Sequence, residues 1–258
     1  MISTDSRLIE KRSALLQLSH ELGREDRGWA ILGEGNSSVR LDADRMLIKA
    51  SGTNLGRLRE EDVVECRRGV LSKLLDRRSM SDDQVEEALL ASRIDQSSKK
   101  PSVEALFHAH LLSLPDVQFV GHTHATAVNQ ILCSPRARQF ADRRIFPDEI
   151  VCCGAASVLV PYTDPGLKLA QAIRKGVRDL VRRRKQVPRV VLIKNHGIIT
   201  LGATTEAVLA AMQMAEKAAR IWIGAAALGG PIFLSEKDVA RIASRSDEAL
   251  RRRLMNIE

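Results

Sequence analysis

The stretch "FVGHTHATAV", Phe119 to Val128, carries two histidines one residue apart at the end of an apolar approach. Its β-branched and aromatic content through "VQFVGHTH" predicts a strand, and "ATAVNQILC" resumes as helix. On a strand, residues i and i+2 face the same side, roughly 6.6 Å apart at about 3.3 Å per residue, so His122 and His124 can converge on one ion. The chain has 6 histidines in 258 residues, and placing two of them this way calls for a chemical reason.

A third histidine has a matching context. "LIKNHGIIT" sets His196 where an apolar strand breaks between Asn195 and Gly197, and loops at strand ends commonly present functional side chains. Glu104 supplies an acid, opening a helix one turn before His108 so that both share a face. "EALFHAH" is not the His-Glu-x-x-His pattern of zinc proteases, because the acid precedes its histidine. His20 and His110 read as structural.

Outward from these residues, "TDSRLIEKRSALLQLSHELGRE" repeats apolar positions at helical spacing and stops at Gly23. "GEGNSSVRLDADRMLIKASGT" reads as a Gly-rich loop, a strand, a turn at Asp42 to Asp44, a second strand and a small-residue loop, and "EEDVVECRRGVLSKL" continues in strand and turn style. Ser81 starts a helix, Pro101 suits the first turn of the next, and that one stops before Pro115. "EIVCCGAASVLVPY" and "RVVLIKNHGIITLG" read as buried strands with "LKLAQAIRKGVRDLVRR" helical between them. "TTEAVLAAMQMAEKAARIWIGAAALGGP" is a long helix, and Ser235 with Asp238 resembles a capping box for the last one. There is no repeat, low-complexity tract or linker, so the expectation is one α/β domain over residues 1–258.

The small-residue turns bracket the predicted hairpin. Backbone amides and hydroxyls of Gly35, Asn36, Ser51, Gly52 and Thr53, with Ser102 at a helix start, can together hold a phosphate. "GEGNSS" lacks the preceding strand and third glycine of a dinucleotide fingerprint.

Composition narrows the classes. Hydrophobic residues make up 44% and charged ones 28%, as in an ordinary globular chain. No apolar run is long enough for a membrane span, and the first residues mix acids and bases unlike a signal peptide. Cys66, Cys133, Cys152 and Cys153 lack metal-type spacing and read as buried, reduced thiols, so the expected setting is cytoplasmic. The net charge of +8 gathers in Arg174 to Arg189 and Arg251 to Arg253. With 3% aromatics to stack bases, these read as a solvated face and not a nucleic-acid surface.

In order, "GEGNSSV", "ASGT", "PSVEALFH", "GHTHA" and "KNHG" resemble the signature blocks of the class II aldolase/adducin family, which includes fuculose-phosphate and rhamnulose-phosphate aldolases, ribulose-phosphate 4-epimerase and some decarboxylases. The resemblance spans nearly the whole chain. It implies a three-layer α/β/α fold around a largely antiparallel sheet, and a homotetramer with active sites between subunits. It implies that His122, His124, His196 and Glu104 ligate a divalent metal, zinc first and manganese or cobalt as alternatives, with Glu104 also the catalytic acid/base. Gly35, Asn36, Ser51, Gly52, Thr53 and Ser102 fall on or beside the phosphate-binding positions.

The activity it implies is that of a metal-dependent lyase cleaving a small phosphorylated polyhydroxy substrate through a metal-stabilised enediolate. Aldol cleavage of a ketose phosphate comes first, then decarboxylation of a β-keto or hydroxy acid, then 4-epimerisation. A catalytically silent, adducin-like binding module is the reading from another class. Two positions depart from the fuculose-phosphate pattern: Val103 replaces a second serine, and Phe146 in "RRIFPDEIV" stands near a catalytic tyrosine. Decarboxylation tolerates that loss better, since no leaving alkoxide needs a proton. Tyr162, the sole tyrosine, sits in a loop of structural character, and Asp148 is the polar group nearest the gap.

Overall fold

The computed structural model of the chain describes residues 4–257. Its elements run α1 (Thr4–Leu22), β1 (Asn36–Arg40), β2 (Arg45–Lys49), β3 (Val63–Arg67), α2 (Arg68–Leu74), α3 (Asp82–Ala91) and α4 (Ala105–Leu111). They continue with β4 (Phe119–Thr123), α5 (Thr126–Leu132), α6 (Ala137–Asp142), α7 (Pro147–Cys153), β5 (Val158–Val160), α8 (Leu167–Arg184), β6 (Val190–Ile193), β7 (Gly197–Gly202), α9 (Thr205–Ala226), α10 (Glu236–Ser244) and α11 (Ser246–Leu254).

The strands form one sheet in the order β3-β2-β1-β4-β7-β6-β5, and every neighbouring pair is antiparallel except β5 with β6. Alternation along the strands sends side chains into two apolar layers, the arrangement of a sheet covered on both faces. Phe119, Val190, Leu192 and Ile198 join Leu18, Leu22, Val208 and Met212 of α1 and α9 on one face. Val120, Val191, Ile193 and Ile199 join Leu106, Ala109, Ile173 and Val177 of α4 and α8 on the other. The expected three layers and largely antiparallel sheet are therefore present. Among the described residues no helix is long and apolar enough to cross a membrane.

Several local expectations are corrected. "RRGVLSKL" leaves β3 as helix α2, held at its start by Asp44, whose carboxylate accepts from the Gly69 amide at 2.7 Å. Pro101 is not in the first turn of α4: it bridges Ala50 in extended backbone, and the helix begins only at Ala105. "EIVCC" is helix α7, with Pro147 in its first turn, and only Val158–Val160 of that run is strand. All of Glu149 to Cys153 is buried, so the run shows no alternation that could separate helix from strand. Ser235 does cap α10 by accepting from the Asp238 amide at 3.1 Å, but a further helix, α11, follows. Cys66, Cys152 and Cys153 are buried free thiols as expected, whereas Cys133 is exposed.

Candidate metal centre

Antiparallel pairing assembles the site from distant segments. Asn36 on β1 lies opposite His122 on β4, and His122 in turn lies opposite Ile199 on β7, whose preceding turn carries His196. His122 is fully buried, and its Nδ1 lies 3.0 Å from the Ile198 carbonyl, to which it donates. That bond leaves the Nε2 lone pair turned inward, and Nε2 has no hydrogen-bond partner. A buried polar atom left unpaired costs stability unless something else binds it.

His124 follows the strand, its backbone amide donating to the Trp29 carbonyl at 2.8 Å. His196 sits in the β6–β7 turn after Asn195, which takes a left-handed φ of 54°. Asn129 of α5 ties the two histidine segments together, its side-chain amide donating to the carbonyls of His196 at 2.9 Å and His124 at 3.4 Å. Gly197 is needed for closeness: a Cβ there would lie 2.4 Å from the Thr123 carbonyl and 3.1 Å from the His122 ring.

The three imidazoles form a near-equilateral group, with centroids 5.1, 5.0 and 5.0 Å apart and ligand atoms all within 4.8 Å of one another. Glu104 stands at the N-terminal boundary of α4 and closes the group, one carboxylate oxygen 3.4 Å from His122 Nε2 and the other 3.4 Å from His196 Nε2. Tetrahedral coordination with arms of about 2.1 Å has edges of roughly 3.4 Å, so these separations fit atoms that share one ion. Burial lowers His122 to about 3, helped by repulsion from His124. It lowers His196 to about 4, with His122 adding to the shift and Glu104 opposing it. Neutral rings are the form that ligates metal. Burial raises Glu104 above the ordinary carboxylate value, against the Asn36 hydrogen bond and the nearby His196, His124 and Lys49. The buried orphan nitrogen, the spacing and the N/O donor set all fit a divalent cation.

Around this group the structure collects some of the expected anion-binding residues. Gly35 has φ 69°, and a Cβ would lie 2.6 Å from the His122 carbonyl. Asn36 is buried and donates to Glu104 Oε2 at 2.5 Å and to Ser102 Oγ at 3.2 Å, so both amide hydrogens are engaged. The Ala50–Pro101 bridge brings Ser51, Gly52 and Thr53 beside Ser102. Ser51 donates its amide to the Lys100 carbonyl at 2.9 Å, and Thr53 its hydroxyl to the Ala50 carbonyl at 2.9 Å. Gly52 faces open space. A cavity of about 420 Å³ beside this loop is lined by Ser51, Lys100, Val103 and Lys168. Phe146 packs against the core under Lys217, Asp148 pairs with Arg251 at 2.8 Å, and Tyr162 is exposed with its hydroxyl 3.4 Å from Asp164.

Two nearby residues escaped the sequence reading. Lys49 ends β2 almost fully buried, its ammonium 3.4 Å from the Gly33 and Ala50 carbonyls. Burial lowers it to about 8, with Glu104 and Asp62 opposing. The signal was a charge closing the apolar run Met46 to Ile48 in "RMLIK". Glu34 sits 3.4 Å from His124 Nδ1; it was legible only as a member of "GEGNSS".

Several known proteins are similar to this chain in sequence or fold. One relative, the Bacillus subtilis (strain 168) protein YuxG, described as an uncharacterized oxidoreductase, is 28% identical over 67% of this chain, and the chain spans only 24% of that protein. A 3-oxo-tetronate 4-phosphate decarboxylase of Haemophilus influenzae is 27% identical, covering 72% of this chain and 76% of its own. A methylthioribulose-1-phosphate dehydratase of Pseudomonas syringae pv. tomato is 30% identical, covering 74% and 85%. The fold is similar to that of a solved L-fuculose 1-phosphate aldolase, with a TM-score of 0.69 at 19% identity over 91% of this chain and 94% of the other. The pattern of the class II aldolase and adducin N-terminal domain matches residues 13–223, and the chain belongs to that family.

Proposed function

We propose that this protein is a metal-dependent lyase acting on a small phosphorylated polyhydroxy substrate, with decarboxylation of an oxo acid as its reaction. The observation that carries the reading is the grouping of His122, His124 and His196 with their ligand atoms within 4.8 Å of one another, and Glu104 3.4 Å from two of them. A divalent ion there, zinc first and manganese or cobalt next, supplies positive charge to a substrate oxygen that becomes negative as the bond breaks.

The chain's own groups do the remaining work. Glu104 is buried and its pKa raised, which suits a carboxyl that delivers a proton to the carbon losing its substituent. Lys49 holds an ammonium within electrostatic reach of Glu104 and steadies a substrate anion. The open Ser51–Gly52–Thr53 turn and Ser102 receive the phosphate.

Decarboxylation stands ahead of aldol cleavage because of what surrounds Phe146. Aldol cleavage sets free an alkoxide that must gain a proton, yet Phe146 carries none, Asp148 is paired with Arg251, and Tyr162 faces Asp164 on an exposed loop. Carbon dioxide leaves without one. The relative named as a 3-oxo-tetronate 4-phosphate decarboxylase supports the same order. The silent-module reading loses ground because all four ligand candidates are present and the fully buried His122 carries an Nε2 without a hydrogen-bond partner, at a cost in stability.

A cytoplasmic homotetramer with the site at a subunit boundary completes the proposal. Ile31 and Leu32, 60% and 81% exposed beside Glu34, offer apolar surface for such a contact.

The test is a product assay of the protein loaded with zinc, manganese or cobalt. It is given 3-oxo-tetronate 4-phosphate, a panel of ketose phosphates and methylthioribulose-1-phosphate. Carbon dioxide from the oxo acid supports the proposal. Aldehyde from a ketose phosphate, or loss of water from methylthioribulose-1-phosphate, replaces the reaction while keeping the site. No product with any metal removes the enzymatic reading.

A further inference from the structure

A chain of hydrogen bonds runs behind Glu104, away from the space between the histidines. Because Glu104 accepts from Asn36 Nδ2, the orientation of the Asn36 amide is decided, and its Oδ1 faces His108 Nε2, with which it pairs closely. A carbonyl oxygen can only accept, so His108 Nε2 carries the hydrogen. Its Nδ1 is then a lone pair, and it takes the hydroxyl hydrogen of Ser38 at 2.6 Å. His108 and Ser38 are fully buried, and Asn36 and Glu104 nearly so. Burial keeps the ring neutral, and Phe107, stacked on His108 at 4.7 Å, sets its edge against His122. Every donor in the series Ser38, His108, Asn36, Glu104 therefore points the same way, towards the carboxylate.

We propose that His108 is a positioning residue: through Asn36 it fixes the Glu104 carboxylate at the distance from His122 and His196 at which all three share one divalent ion. This rests on the metal reading above. It also assigns the Asn36 side chain to the metal centre, since neither of its amide hydrogens is free for a phosphate. Without the His108 donor, the Asn36 amide can turn over and present its oxygen to Glu104. Two acceptors then face each other, and the carboxylate swings away. A histidine that only fills space has no such effect.

The experiment is a Co2+ and Zn2+ titration of metal-free protein against a competing chelator, with the visible spectrum of the Co2+ form. His108→Met keeps apolar volume and removes the donor; His108→Gln keeps an N–H where Nε2 stood. We expect His108→Met to bind about 10- to 100-fold more weakly with an altered Co2+ spectrum, and His108→Gln to recover most of both. If folded His108→Met matches wild type in affinity and spectrum, or His108→Gln is no better than His108→Met, the inference is wrong. Should His108→Met not fold, nitrogen-15 NMR of the wild-type protein decides: hydrogen on Nε2 supports the inference, and hydrogen on Nδ1 overturns it. Wild type that binds no metal removes the metal reading together with this inference, whereas wild-type binding with an unaffected variant removes the inference alone.

Discussion

His122 and His196, kept neutral by burial, stand together with His124, and His122 Nε2 has no hydrogen-bond partner among the described residues, a pattern that suits metal ligands better than core histidines. Glu104→Gln keeps the shape and the Asn36 contact but cannot carry the proton. We expect kcat to fall by about two to four orders of magnitude, read as turnover at saturating metal. Lys49 gives a prediction with a definite sign. Its pKa is about 8 in the folded chain against 10.5 unfolded, so between those values the unfolded chain holds more protons and stability rises with pH. Below about 8 the cost of the buried charge is fully present. Lys49→Met is therefore more stable than wild type near neutral pH, by up to about 3 kcal/mol, and the gain fades towards pH 10.5 while activity is lost. Urea unfolding at the two ends of that range checks it; equal stability throughout contradicts it. His122 and His124 were legible because extended backbone puts i and i+2 on one face, although β4 itself ends at Thr123, one residue before His124. The role of His108 was not, because its partners Ser38 and Asn36 lie 70 and 72 residues away and only sheet pairing brings them close.

Elements differ in how openly the sequence declares them. The strands β4 and β7 stand out by β-branched residues between turn signals, and α3 announces itself through Ser81, which forms a capping box with Gln84. Ser81→Ala should cost about 1 kcal/mol by thermal or urea unfolding and leave metal binding unchanged, since α3 carries no ligand. Helices α2 and α7 were hidden for opposite reasons. The first is a short continuation of a strand, started by the Asp44 side chain, and the second is buried without a break from Glu149 to Cys153 so that no period shows. The turn between β6 and β7 belongs to this scale as well. Gly197→Ala forces a methyl group against the Thr123 carbonyl and the His122 and His124 rings, so it should destabilise the fold by about 1–3 kcal/mol and weaken metal binding together. A variant that loses neither shows that the turn has slack.

For the whole molecule, the layers and the antiparallel sheet followed from the resemblance of five short blocks and not from periodicity, because strand order is written in long-range pairings such as Asn36 with His122. That same pairing joins fold to function: β1, β4, the β6–β7 turn and the start of α4 meet at one end of the sheet; the last three carry the ligand candidates, and β1 carries Asn36, which holds Glu104. A ligand that binds only the folded chain stabilises it, by about 2.7 kcal/mol at a hundredfold excess over Kd, so chelation should lower the melting temperature reversibly. The most direct measurement is the metal content of the purified protein and of its His122→Ala and His124→Ala variants. One equivalent of a divalent ion per chain in wild type, lost in both folded variants, is the predicted result. A metal-free wild-type protein that takes up no added zinc, manganese or cobalt contradicts the account.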